Sequence, residues 1–163
     1  MTTLKPDTTL PKVAIITPVY NGADFLLETL ENVQAQDYPN LVHIVLDNCS
    51  TDGTADILEA FEPKNFPVIV HKNSQLLPLY SNWNTAMSHA PADAKYVRLL
   101  CADDTMSSNC TRKMVEVAET DDDILLVGTN VSKNDEPVPF VWPEDQTVMD
   151  GKEVVRRFFL NEI

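Results

Sequence analysis

Two adjacent carboxylates, Asp103 and Asp104, directly follow the apolar run Tyr96-Val97-Arg98-Leu99-Leu100 in the stretch YVRLLCADD. Neighbouring carboxylates repel, so a chain keeps them at low cost where something positive binds beside them. Within this stretch Arg98 is the one cationic residue against two adjacent carboxylates, which points to a divalent cation held by hard oxygen ligands. Such an ion can bridge the oxygens of a pyrophosphate and stabilise it as a leaving group. One carboxylate then need only reach the ion, and its neighbour is free to accept from a sugar hydroxyl. The competing reading of the pair is a turn and cap ahead of a helix beginning near Asn109.

Two further clusters end earlier strand-like runs. Thr17-Pro18-Val19-Tyr20-Asn21 follows Val13-Ala14-Ile15-Ile16, and Asp47-Asn48-Cys49-Ser50-Thr51-Asp52-Gly53-Thr54 follows Val42-His43-Ile44-Val45-Leu46. Tyr20 could stack on a base, with Thr17 and Asn21 offering polar contacts; a loop tyrosine packed on the core is the alternative. Asp47 could accept from a nucleobase N–H, or could cap the following turn. That capping role falls more readily to Ser50, Thr51 and Asp52, whose spacing before Ala55-Asp56-Ile57-Leu58 fits a helix N-terminus, while Gly53 suits a sharp turn. Trp83 and Met87, four apart on a helical pattern, read as core. Asn73 and Asn84 are lesser ligand candidates, and His43 and His71 read as core or surface residues of strands. His89 ends a helical stretch, where its charge suits the dipole.

The elements that must position these groups alternate. Strands are expected near 12–17, 42–46, 67–71, 96–100 and 124–128, with an edge strand from Val138 to Trp142 interrupted by prolines. Helices are expected near 23–36, 54–61, 79–89, 109–119 and 151–160. This alternation implies right-handed crossovers and an α/β fold, a mostly parallel sheet flanked by helices. All three polar clusters then fall on one sheet edge, where ligands bind. Residues 1–11, rich in Thr and Pro, read as a flexible arm ahead of one α/β domain over 12–163.

Bulk composition narrows the partners. At 163 residues and 44% hydrophobic content, the chain can bury one sizeable core. A formal charge of −13 excludes nucleic acid, whose phosphates need Lys and Arg, and a polybasic grip on anionic lipid. The same acidity makes a metal more necessary if the ligand is phosphorylated. No apolar run approaches the ~20 residues that span a bilayer. Three cysteines without CxxC spacing read as reduced thiols in a cytoplasm. Four glycines leave no room for a glycine-rich dinucleotide loop or P-loop, and no Ser/His/Asp nucleophile pattern stands out.

Taken in order, VAIITPVYNGADFLLETLENVQAQDYPNLVHIVLDNCSTDGT, HKNSQLLPLYSNWNTAM and YVRLLCADDTMSSNCTRKM resemble the family-2 glycosyltransferases of the GT-A fold. The resemblance covers about residues 12–115, with a fainter echo in GKEVVRRFF. It implies transfer of a sugar from a UDP-sugar donor with inversion at the anomeric carbon, dependent on Mn²⁺ or Mg²⁺. Carried over by position, Thr17, Pro18, Tyr20 and Asn21 border the nucleoside, Asp47 accepts from the base, Asp103 holds ribose or sugar, and Asp104 holds the metal. Three positions depart from the pattern: Cys101 stands where many relatives carry Asp, Cys49 where they often carry Gly, and Trp83 where many carry Arg.

Relatives continue well past position 163, with the acceptor site and catalytic base in that later part. The resemblance therefore implies a donor-binding portion whose base lies outside this chain. Glu144-Asp145, the late carboxylate pair, follows Asp104 too closely to match that base and reads as a solvated loop. The expected setting is polysaccharide biosynthesis, in the cytoplasm or peripherally at the inner membrane face. The acceptor would be a saccharide, a lipid-linked sugar or a protein, and a homo-oligomer is compatible. The alternative is a non-catalytic nucleotide-sugar-binding or interaction module. A nucleotidyltransferase would want a basic phosphate-gripping loop near the N-terminus, which is missing.

Overall fold

The computed structural model describes residues 7–133, 136–138 and 148–160, in two compact units, Met1–Ile124 and Leu125–Ile163. In the first, β1 (Val13–Val19) and β2 (Leu41–Asp47) are each seven residues long and buried along their whole length. Nearly continuous apolar runs of this kind suit central strands of a parallel sheet covered on both faces. β3 (Val68–Lys72) and β4 (Tyr96–Leu99) are shorter and partly exposed, as edge strands are. The order is β3-β2-β1-β4 and every pairing is parallel.

Alternate residues of a strand face opposite sides of the sheet, and the core divides accordingly. Ala14 and Ile16 of β1 join Val42, Ile44 and Leu46 of β2 and Ala86 of α3 (Leu79–Ser88). On the other side, Val13 and Ile15 pack with Val33 of α1 (Leu26–Gln34) and with Cys110 and Val115 of α4 (Cys110–Ala118). Val19 and Val45 meet Leu26 and Leu30 of α1 and, from α2 (Thr54–Ala60), Ile57 and Leu58. The chain runs from β1 through β2 to β3 in one direction and then returns to place β4 on the far side of β1. The strand order thus reverses between β1 and β4, and open α/β sheets bind ligands in the crevice at the carboxyl ends flanking such a switch.

Several elements differ from the sequence expectation. α3 buries Asn82 and Ala86, whereas Trp83 is half-buried and Met87 is exposed. The small Ala86 lets the helix approach the sheet, and Asn82 Oδ1 accepts from Asn73 Nδ2 at 3.0 Å, so the buried face is one residue away from the apolar one. Gly53 has φ −74°, outside the left-handed region; among the described residues, Asn21 and Cys49 occupy that region.

Residues 124–128, at the start of the second unit, form no strand, Ile124 being the last residue of the first. A strand needs a neighbour for its N–H and C=O groups, and this run joins none, leaving Leu125 and Leu126 at the surface. This unit pairs β5 (Ser132–Lys133) antiparallel with β6 (Glu136–Pro137). It also holds α5 (Gly151–Phe159), capped by Asp150, whose side chain accepts from Lys152 N and Glu153 N. Residues 1–6 of the expected arm, most of the expected edge strand at Val138–Trp142, and Glu144-Asp145 lie outside the described residues. Among the described residues no helix is long and apolar enough to cross a membrane.

Candidate functional site

The β1 and β2 ends lie side by side, since Val19 and Asp47 are register partners and Asn48 N donates to Val19 O at 2.8 Å. Beyond them the two loops are stitched together. The three successive amides of Asn21, Gly22 and Ala23 donate to Ser50 Oγ (2.9 Å), Thr54 Oγ1 (2.9 Å) and Asp52 Oδ2 (3.0 Å). In return Asn21 Oδ1 accepts from Thr51 N at 2.8 Å. Asp52 does serve the start of α2, accepting from Thr54 N and Oγ1 at 3.0 and 2.5 Å. Ser50 and Thr51, expected as helix caps, instead brace the loop after β1. The Thr54 hydroxyl bond, aided by the Ala23 and Thr54 amides, holds the Asp52 carboxyl below its ordinary range. Gly22 is required sterically, because a Cβ there would meet Val19 Cγ2 at 2.5 Å.

This bracing leaves the Tyr20 ring half exposed on a fixed backbone. Of the four residues expected to border a nucleoside at the end of β1, Tyr20 and Asn21 are exposed, whereas Thr17 and Pro18 are buried. The Thr17 hydroxyl sits 2.9 Å from His43 Nε2, beneath the crevice. Burial drives the His43 imidazole down to about 3, so it is neutral. Asn73, bonded to Asn48 and Asn82, ties β3 to its neighbours.

Asp47 is the most informative group on this side. Its side chain is 3% exposed and Oδ1 accepts from Ser50 N at 2.9 Å. Oδ2 is buried with no hydrogen-bond partner. The Lys72 ammonium, on the register-paired residue of β3, lies 3.5 Å from it, within ion-pair range but not hydrogen-bonded. Buried carboxylate oxygens are nearly always hydrogen-bonded, and Oδ2 is an exception whose nearest charge is the Lys72 ammonium. Lys72 drew no attention in the sequence because its relevance depends on the β2–β3 register.

On the opposite side of the switch, Asp103 and Asp104 are exposed in the turn after β4. Neither caps α4, whose N-cap is Asn109. Arg98 turns away, donating to Cys110 Sγ and Met114 Sδ. Cys101 joins the pair: its Sγ and one oxygen from each carboxylate lie within 4.8 Å of one another. Burial, then the Asp104 and Asp103 charges, pushes the Cys101 thiol up. Two hard oxygens and a sulfur in one turn suit a divalent ion, since they supply the negative charge and lone pairs that coordination needs.

The turn is anchored by one face of α1, continued past its end. Thr29 Oγ1 bridges Ala102 O and Asp104 O at 2.7 and 3.2 Å. Asn32 exchanges two bonds with the Met106 backbone, and Gln36 Nε2 donates to Ser107 O at 3.0 Å. Thr29, Asn32 and Gln36 recur at helical spacing, and what they hold depends on how α1 and the turn pack together.

Residues 14–162 match the family described as glycosyl transferase family 2. The chain belongs to this family. A protein described as a teichuronic acid biosynthesis glycosyltransferase, TuaG of Bacillus subtilis, is 32% identical over 110 residues, 65% of this chain and 41% of that protein. The abequosyltransferase RfbV of Salmonella typhimurium is 29% identical over 117 residues, 70% and 34% of the two chains. Among solved structures, the mannosyltransferase PcManGT of Pyrobaculum calidifontis, in complex with GDP-Man and Mn²⁺, superposes with a TM-score of 0.61 at 29% identity, covering 71% of this chain and 34% of that one. TarS 1–349 of Staphylococcus aureus with UDP-GlcNAc gives 0.59 at 25% identity, covering 67% and 31%. The fold is therefore that of the GT-A glycosyltransferases. This family 2 chain spans less than half the length of the curated relatives it matches.

Proposed function

We propose that this chain carries the donor half of a metal-dependent inverting glycosyltransferase that uses a UDP-sugar. The observation that carries the reading is the Asp47 carboxylate at the β2 end, whose buried Oδ2 accepts no hydrogen bond and faces the Lys72 ammonium, on the same sheet edge as the turn after β4 that presents Cys101, Asp103 and Asp104. Neighbouring structures solved with UDP-GlcNAc, and with GDP-Man and Mn²⁺, support a nucleotide diphosphate donor and a divalent ion.

The choice of uracil follows from how Asp47 is already engaged. Guanine presents N1–H and N2–H together, a pair that a carboxylate meets with both oxygens; uracil presents one N–H between two carbonyls. Because Oδ1 is engaged with Ser50 N, the single free oxygen matches uracil, and the Lys72 ammonium stands where a flanking carbonyl could accept from it. Tyr20 offers the base a face on the braced loop. Asp103 accepts from a ribose or sugar hydroxyl, and Asp104 holds the metal, Mn²⁺ or Mg²⁺. When bound, the ion supplies charge neutralisation for a departing diphosphate, which a chain of formal charge −13 cannot supply from its own cations. The protein's part is to orient the donor and leave its anomeric carbon open to an acceptor hydroxyl.

Titration calorimetry of UDP in Mn²⁺ and then in EDTA tests this reading. UDP is expected to bind in Mn²⁺ and to lose most of its affinity in EDTA; equal affinity in both would remove the metal role.

A further inference from the structure

Cys101 stands where many members of the resembled family carry Asp, and its sulfur lies among the acidic groups of the turn. Sγ of Cys101 and the carboxylate oxygens of Asp103 and Asp104 lie within 4.8 Å of one another. Donors around one first-row ion are separated by roughly 3–4.5 Å, given metal–sulfur and metal–oxygen bonds near 2.3 and 2.1 Å. The three donors thus lie near enough to one another to share one ion. The backbone that carries these donors is fixed: Asp104 N donates to Cys101 O at 3.1 Å, and Thr29 Oγ1 holds the carbonyls of Ala102 and Asp104. The other two thiols are engaged elsewhere, Cys49 donating to Asn73 O at 3.1 Å and Cys110 packed in the core.

We propose that Cys101 is itself a metal ligand, making the centre a mixed thiolate–carboxylate site that discriminates against Mg²⁺. This rests on the reading of the crevice as a donor and metal site, and it deepens that reading by assigning the metal preference. Coordination forms a metal–sulfur bond and releases the Sγ proton to solvent. Sulfur favours borderline ions over the hard Mg²⁺, so of the two ions expected Mn²⁺ binds better, and Co²⁺ and Zn²⁺ better still. Carboxylates alone would leave Mg²⁺ competitive.

The test uses the full chain, anaerobically, with UDP present. Co²⁺ is added to wild type, Cys101→Ser and Cys101→Asp, each retaining Cys49 and Cys110, and absorption is followed in the near ultraviolet. Wild type is expected to show a thiolate-to-cobalt charge-transfer band that both variants lack. Calorimetric competition should show the Zn²⁺ over Mg²⁺ preference falling by roughly tenfold or more in Cys101→Asp, which restores an all-oxygen set. Far-ultraviolet circular dichroism confirms that the variants are folded. Metal-dependent UDP binding without the band, and with unchanged ion preference in the variants, would overturn the sulfur ligand and leave the donor-site reading standing. No metal binding by any form would overturn both.

Discussion

Asp47→Asn separates a role in reading the base from a role in holding the loop. The substitution keeps size and shape, and an asparagine Oδ1 can still accept from Ser50 N, as the carboxylate does at 2.9 Å. At the partnerless Oδ2 position it puts an N–H donor where an acceptor stood. Facing uracil N3–H, two donors then oppose each other. Flipping the amide only moves the conflict to Ser50 N, so no rotamer satisfies both partners. Loss of a hydrogen bond to a charged acceptor costs about 1.5–3 kcal/mol, which at 1.4 kcal/mol per decade weakens UDP by about 10- to 150-fold. Cytosine has an acceptor at N3, so CDP should gain while UDP loses, and the preference between them should narrow or reverse. Inorganic pyrophosphate, which never meets Asp47, should bind unchanged. Stability should move little, because the Ser50 amide keeps its acceptor and the Lys72 ammonium, 59% exposed, keeps its hydration. Calorimetry with UDP, CDP and pyrophosphate in Mn²⁺ decides the point. If UDP and pyrophosphate weaken by the same factor, or if UDP is unaffected, Asp47 is structural and the base-reading argument fails.

Three other perturbations test the framework of the site. Thr29→Val removes the hydroxyl that bridges Ala102 O and Asp104 O; urea unfolding should show a loss of about 1–3 kcal/mol and Mn²⁺ affinity should fall with it, whereas unchanged metal affinity would mean that the turn holds itself. Gly22→Ala forces a Cβ to within 2.5 Å of Val19 Cγ2, and Val19 is 2% exposed, so overpacking should cost about 1–3 kcal/mol; a variant as stable as wild type would show the loop to be looser than its bracing implies. His43 is neutral in the fold, with its imidazole lowered from 6.5 to about 3 by burial. Between those values the unfolded chain holds the extra proton, so the stability is complete above about pH 6.5 and is lost as pH falls, by up to about 1.4 kcal/mol per pH unit. His43→Gln, which can keep a partner for Thr17, should flatten urea-derived stability between pH 7 and pH 5 relative to wild type; parallel curves would refute the assignment.

What the sequence determined by itself is the part of the protein governed by local patterning. Buried apolar runs made β1 and β2 legible, helical spacing made α1 and α4 legible, and the position of TPVYN, DNCSTDGT and CADD at strand ends placed three polar clusters on one sheet edge. That inference held because parallel strands joined by crossovers must bring their carboxyl ends together. Apolar content alone misled at residues 124–128, since a strand exists only where a partner completes its ladder. It misled again on α3, where close packing chose Ala86 and a buried asparagine over Trp83 and Met87.

The tertiary structure decided which atoms of the clusters are available. Register placed Lys72 beside Asp47, and burial enclosed Thr17 with His43. Packing of α1 beneath the turn after β4 turned Thr29, Asn32 and Gln36 into backbone clamps, and that turn brought Cys101 to the two aspartates. These relations join residues from different elements, and sequence periodicity records only how each element faces the core. Side-chain partnerships across elements depend on distances and angles that arise once the chain has closed on itself.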